Sequence, residues 1–222
     1  RAGRYSVTIS AGNGHGVANA TETIEITPLP VGIEGLYTGL IGRHPAINGN
    51  LGGRLDLKVA KTGPCSGSLV LGRVKLPFKG TVLVDKTGVS RPRVSVVVRR
   101  PGKPEPPPLQ LNFELVIHQG VLADGGILAL EGEAASVEGW RQDWHQRDLP
   151  ATSSAAYYTL TMRPASEHLG QAAIPQGSGF ASFMVSPAGT LKLSGRLADG
   201  TALTQATFMG PNGQVGLFSA LY

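Results

Sequence analysis

Glycine interrupts this chain so often that no stretch sustains a helical period for more than a turn, which settles the fold class before any motif is considered. Between the glycines the residues alternate apolar and polar, as in Tyr5-Ser6-Val7-Thr8-Ile9-Ser10, Thr21-Glu22-Thr23-Ile24-Glu25-Ile26 and the run from Leu109 to Ile117. A period of two belongs to a half-buried strand. With 31 glycines and 16 prolines among 222 residues, the chain is well supplied with the turns that many short strands need. It reads as all-β and is long enough to bury a core without disulfide or metal staples.

One phrase is written more than once. Gly195-Arg196-Leu197-Ala198-Asp199-Gly200 repeats the frame of Gly120-Val121-Leu122-Ala123-Asp124-Gly125, and Gly67-Ser68-Leu69-Val70-Leu71-Gly72 is a looser version. Asp-Gly is a hairpin pair: glycine takes a positive φ that other residues resist, and the carboxylate bonds the backbone two residues on. Type I′ turns are therefore expected at Asp124-Gly125 and Asp199-Gly200. The surroundings repeat as well. Setting Gly53–Gly72 against Gly179–Gly200 brings Val59 onto Val185 and Gly63 onto Gly189, and a two-residue gap brings Gly67 onto Gly195. Upstream, Tyr37-Thr38 corresponds to Tyr158-Thr159. Such an internal duplication predicts an antiparallel β-barrel or barrel-like sandwich over 35–222, built from two similar halves at about 35–153 and 154–222. Closure disposes of the edges that many short strands create.

Residues 1–28 form a separate hairpin, either the last of a truncated domain or an added ribbon, because two strands bury no core alone. Residues 29–34 follow as an extended linker, stiffened by Pro28 and Pro30. The stretch from Arg99 to Pro108 has five prolines and no apolar residue otherwise, and reads as a solvated, stiff loop. The first residues carry neither an initiator Met nor an apolar leader core, so the chain reads as a segment with neighbouring domains in a longer protein.

The formal net charge is +5, but the excess is diffuse. Its densest stretch, Arg91-Pro92-Arg93 with Arg99-Arg100-Pro101-Gly102-Lys103, has no aromatic residues for bases to stack on, which argues against nucleic acid. No run of about 18 apolar residues exists to span a membrane as a helix. The single Cys65, between Pro64 and Ser66, has no internal partner for a disulfide and no neighbouring base to make it a nucleophile.

No two of His15, His44, His118, His145 and His168 stand at a metal-site spacing, so neither metal nor other cofactor is expected. There is no G-x-S-x-G elbow, and nothing singles out two of Asp124, Glu131, Glu133, Glu138, Asp143 and Asp199 as a glycosidase pair. No catalytic residue is assigned. The richest segment is Trp140-Arg141-Gln142-Asp143-Trp144-His145-Gln146-Arg147-Asp148. Trp140 and Trp144 with Arg141 and Asp143 could form an aromatic platform with polar groups for a polysaccharide; alternatively, Trp140 plugs a barrel end. Tyr157 and Tyr158 alternate across a strand, so one faces in. The structural positions are Gly63, Asp124, Gly125, Gly189, Asp199 and Gly200, each placed in a turn.

Gly3, Tyr5, Val7, Thr8, Ala11, Asn13 and Gly16, in "GRYSVTISAGNGHGVANATETIEIT", resemble the final strands of the Ig-like, cadherin-like repeats of bacterial surface proteins. The remainder, with "GLYTGLIGRHPAINGNLGGRLDLKV" and the terminal "GLFSALY", looks like the Gly-rich β modules that follow such domains in large secreted proteins of Verrucomicrobia-type bacteria. The resemblance implies an extracellular or cell-surface location and a non-catalytic structural or adhesion role, with a polysaccharide or another surface protein as partner. It transfers no catalytic residue.

Overall fold

The computed structural model describes residues 3–26, 28–84, 91–116, 121–122, 126–172 and 176–220. Strands β1 (Gly3–Asn13) and β2 (Gly16–Ile26) pair in register as an antiparallel hairpin, with Asn13 opposite Gly16 at the turn. Every residue of both strands is exposed. Tyr5, Val7, Ile9, Ile24 and Glu22 lie on one face, so the ribbon is amphipathic with its apolar side in solvent.

A closed barrel follows. Its strands are β3 (Gly35–Ile41), β4 (Gly53–Val59), β5 (Pro64–Leu71), β6 (Val74–Leu83), β7 (Arg93–Val98), β8 (Leu109–Val116), the short β9 (Val121–Leu122), β10 (Ile127–Leu130) and β11 (Glu133–Arg141). Each pairs antiparallel with its sequence neighbour from β3 to β8; β10 joins β8 to β11, and β11 returns to β3, which closes an eight-stranded barrel with β9 as an extra link between β8 and β11. The alternation seen in sequence is the barrel's inside and outside. Leu55, Leu57 and Val59 point inward with Leu109, Leu111, Phe113 and Leu115, all buried, while their neighbours face water. Glycine tunes this small interior: a Cβ at Gly80 would stand 2.5 Å from a Val96 methyl and 3.4 Å from the Cys65 sulfur. Cys65 itself is 4% exposed.

Both ends are stoppered. At one, α1 (Pro45–Asn48) brings Ile47 over the core; Pro45 suits a helix start, and Gly49 in the left-handed conformation ends it. Asn48 ties this cap down, its Oδ1 accepting the His44 and Gly52 N–H groups and its Nδ2 donating to the Gly42 carbonyl. At the other end the fully buried Ile33 is the stopper, and its carbonyl accepts the Tyr37 hydroxyl at 2.7 Å.

The second repeat forms its own sheet of β12 (Tyr157–Met162), β13 (Gly179–Val185), β14 (Thr190–Arg196) and β15 (Ala202–Phe208), in that order and antiparallel throughout. It does not enter the barrel, because the edge of β3 that it would need is taken by β11. Its core is Ala181, Val185, Leu191, Leu193 and Leu203, with Ala151 and Met209.

The duplication is legible strand by strand. Tyr37 stands opposite Leu57 and Tyr158 opposite Phe183; Val59 faces Cys65 as Val185 faces Leu191. Tyr158 even repeats the tyrosine bond, donating to the carbonyl four residues back, Ser154, at 2.9 Å. The connecting turns match too: Ala60 N–H to Pro64 carbonyl with Gly63 N–H to Ala60 carbonyl, and Ser186 N–H to Thr190 carbonyl with Gly189 N–H to Ser186 carbonyl. The two-residue gap of the sequence alignment is not there. Gly67 faces Leu57 and Leu193 faces Phe183, so Leu193 holds the place of Gly67, and Gly195, opposite Ala181, holds that of Leu69. Matching glycine to glycine followed the residue type where the pairing ladder follows length.

Candidate functional site

The segment from Trp140 to Ala151 is where the barrel meets the second sheet. On β11 the inward positions are Ala135 and Val137, so Trp140 projects from the outside wall. It is nevertheless only 7% exposed, because the chain beyond β15 lies over it: a Cβ at Gly210 would sit 2.6 Å from the indole and one at Gly216 3.0 Å. Glycine at both places lets backbone lie on the ring. Trp140 thus plugs no barrel end, and its ring is covered by protein where a sugar would have to stack. Its Nε1 has no hydrogen-bond partner among the described residues.

Trp144 sits four residues on and packs into the second core, and its Nε1 donates to the Gly210 carbonyl at 3.0 Å. Gly189 lies against it so closely that a Cβ would come within 2.5 Å of the ring. Backbone completes the joint, with Ala151 N–H on the Pro187 carbonyl at 2.8 Å. The two indoles therefore address opposite sides of one seam, Trp140 from the barrel wall and Trp144 from within the second unit.

Arg141 and Asp143 form an ion pair in which the guanidinium Nε donates to the carboxylate, and both side chains are largely enclosed. Arg141 also reaches the Glu34 carbonyl at 3.4 Å. They line, with Glu34, Leu36, Gln142 and His145, a cleft of about 790 Å³ beside the Ile33 end of the barrel. Tyr37 lies just inside, its pKa pushed up to about 12, chiefly by burial; the Arg141 charge opposes this, and the carboxylates of Asp143 and Glu34 add to it. The Arg141 and Asp143 charges answer each other, while the Glu34 carboxylate accepts the Gly32 N–H at 3.2 Å, so these groups fix β11 against the linker.

Of the other residues singled out, His145 and Asp148 are exposed around a tight turn closed by reciprocal His145 and Leu149 backbone bonds. Among the described residues no three His, Cys, Asp or Glu side chains gather as a metal site would require. Glu133 meets His44 at 3.1 Å at the α1 end of the barrel, away from Asp143. Tyr158 is the inward tyrosine, stacked on Phe183 with ring centres 5.1 Å apart, and Tyr157 is 66% exposed on the outer face. In the basic stretch Arg93 and Arg99 are exposed, and Arg100 donates to the Pro107 carbonyl.

Gly63, Gly189 and Gly200 all sit in turns at φ of 101°, 70° and 84°. The turn at Asp199 is not type I′. The Gly200 N–H bonds the Leu197 carbonyl and only Gly200 has positive φ, which is a type I turn followed by a left-handed glycine, because Ala198 and Asp199 keep the right-handed backbone that their side chains prefer. Asp199 Oδ1 accepts the Thr201 N–H at 2.9 Å. Asp124 and Gly125 lie outside the described residues. Sequence reasoning passed over one further turn of this kind, Gly210 to Gly213, signalled by Pro211-Asn212-Gly213. It also passed over Gly210 and Gly216 as the cover over Trp140, for which the linear sequence holds no signal. Among the described residues no helix is long and apolar enough to cross a membrane. No protein family, curated protein or solved structure matches this chain.

Proposed function

We propose that the chain is a non-catalytic structural module of a secreted or surface-exposed bacterial protein, a stiff spacer in which a closed barrel and a second β unit are locked at a fixed angle. The observation that carries this reading is the seam: Trp140 is closed under Gly210 and Gly216, and Trp144 bonds the Gly210 carbonyl, so the same loop is gripped from both units. A catalytic or ligand-binding protein gains from leaving such aromatic faces open; a load-bearing joint gains from burying them. The low charge of the chain, its lone buried cysteine and the resemblance of Gly3–Gly16 to the closing strands of bacterial surface repeats support an extracellular setting.

The test is mechanical and thermal coupling. The wild-type units are expected to unfold in one transition. Trp140→Ala removes a buried side chain of the seam, at a cost of about 3–5 kcal/mol, and should split the melt into two transitions while the barrel keeps its own midpoint. A single unshifted transition would overturn the spacer reading. Intrinsic tryptophan fluorescence should stay unchanged on titration with polysaccharides; a saturable shift would return the segment to the role of a glycan platform.

A further inference from the structure

The second sheet repeats the first four strands of the barrel, yet one of its edges is left open. In the barrel the tyrosine strand β3 is flanked by β4 on one side and β11 on the other. Its counterpart β12 pairs with β13 alone among the described residues. The missing neighbour leaves a measurable trace. Tyr37 and Ile41 on β3 are 3% and 4% exposed, whereas Tyr158 is 37% exposed and Met162 only half-buried.

Edge strands of stable monomers are commonly guarded by lysine, proline or a bulge. β12, Tyr157-Tyr158-Thr159-Leu160-Thr161-Met162, has no charge and no proline. It is also self-complementary. In an antiparallel pair of two β12 strands centred on Leu160, Tyr158 of one copy stands opposite Met162 of the other, Leu160 opposite Leu160, and Thr159 opposite Thr161. Directly opposed residues share a face, so the half-covered apolar side chains meet on one side and threonines on the other. The first charge, Arg163, then falls at opposite ends of the seam in the two copies, which keeps like charges apart.

We infer that the free edge of β12 is an isologous interface, at which a second copy of this chain adds its own β12 to make one continuous eight-stranded sheet across a two-fold axis. The contact is independent of the seam at Trp140, and its failure would leave the spacer reading untouched.

The experiment uses the whole chain in sedimentation equilibrium and light scattering, with the Thr159→Lys/Thr161→Lys and Thr159→Glu/Thr161→Glu double variants. Both positions are exposed on the outer face, and circular dichroism checks that each variant remains folded. The wild type should be dimeric at about 100 μM, and each double variant should dissociate about tenfold more readily or worse, because like charges then face each other across the strand pair. Mixing the Lys and Glu variants should restore a mixed dimer. A monomeric wild type, a dimer indifferent to both variants, or a mixture that fails to associate would each overturn the proposal.

Discussion

Three residues show how much local chemistry rests on single atoms here. Gly200 closes its turn at a φ of 84°, a region that a β-branched side chain resists, so Gly200→Val should lower stability by about 1–3 kcal/mol in urea unfolding. Asp199→Asn should change the midpoint little, because an amide oxygen accepts the same Thr201 N–H; a large loss would mean that the carboxylate charge matters beyond the turn. Tyr37 makes a pH-dependent prediction. Its folded pKa of about 12 lies above the ordinary 10, so the folded state holds its proton longer than the unfolded state. Stability from this group is full below pH 10 and falls as pH rises from 10 to 12, by an amount on the order of 2–3 kcal/mol. Tyr37→Phe should flatten that alkaline slope in melts across the range, at the cost of leaving the Ile33 carbonyl without its donor.

Among the strands, the pairing ladder rather than the residue type is the invariant. Gly195 lies so tightly against the neighbouring strand that a Cβ would collide with the Phe180 carbonyl oxygen and stand 2.5 Å from the Ala181 Cβ. Gly195→Ala should therefore force β13 and β14 apart and cost about 1–3 kcal/mol, read as a lowered urea midpoint. Were it silent, the close approach of these strands would be wrong. This is also where the sequence's legibility has its limits. Strands, the N-terminal hairpin and the turns at Gly63, Gly189 and Gly200 could be read directly, because alternation and positive-φ glycine are local signals. Which strands share a sheet was not, since closure depends on β11 returning to β3 across about a hundred residues. The surroundings of the aromatic segment were illegible for the same reason. Trp140 and Trp144 look like a platform in linear order, and what lies against them is backbone, from Gly210 and Gly216 on Trp140 and from Gly189 on Trp144, invisible until the chain is folded.

At the scale of the molecule, three pieces differ in how completely they satisfy themselves: a ribbon with its apolar side in solvent, a barrel closed on itself, and an open sheet whose edge strands β12 and β15 each have one strand neighbour among the described residues. The barrel is consequently the part least able to exchange partners, and the ribbon and sheet are the parts through which assembly would proceed. The barrel also contains a built-in clock. Its interior encloses Cys65, the sole thiol in the protein, whose pKa burial pushes up against a smaller opposing pull from the Gly80 backbone. At 4% exposure the sulfur is shielded from a thiol reagent while the ring stays closed, so its modification should report opening of the barrel around β5. With closing faster than capture, the progress of labelling reads the population of opened barrels; with capture faster, it reads how often the ring breaks. Because β11 supplies both a wall of the ring and the Trp140 of the seam, this one sulfur atom also registers how firmly the seam holds the barrel shut.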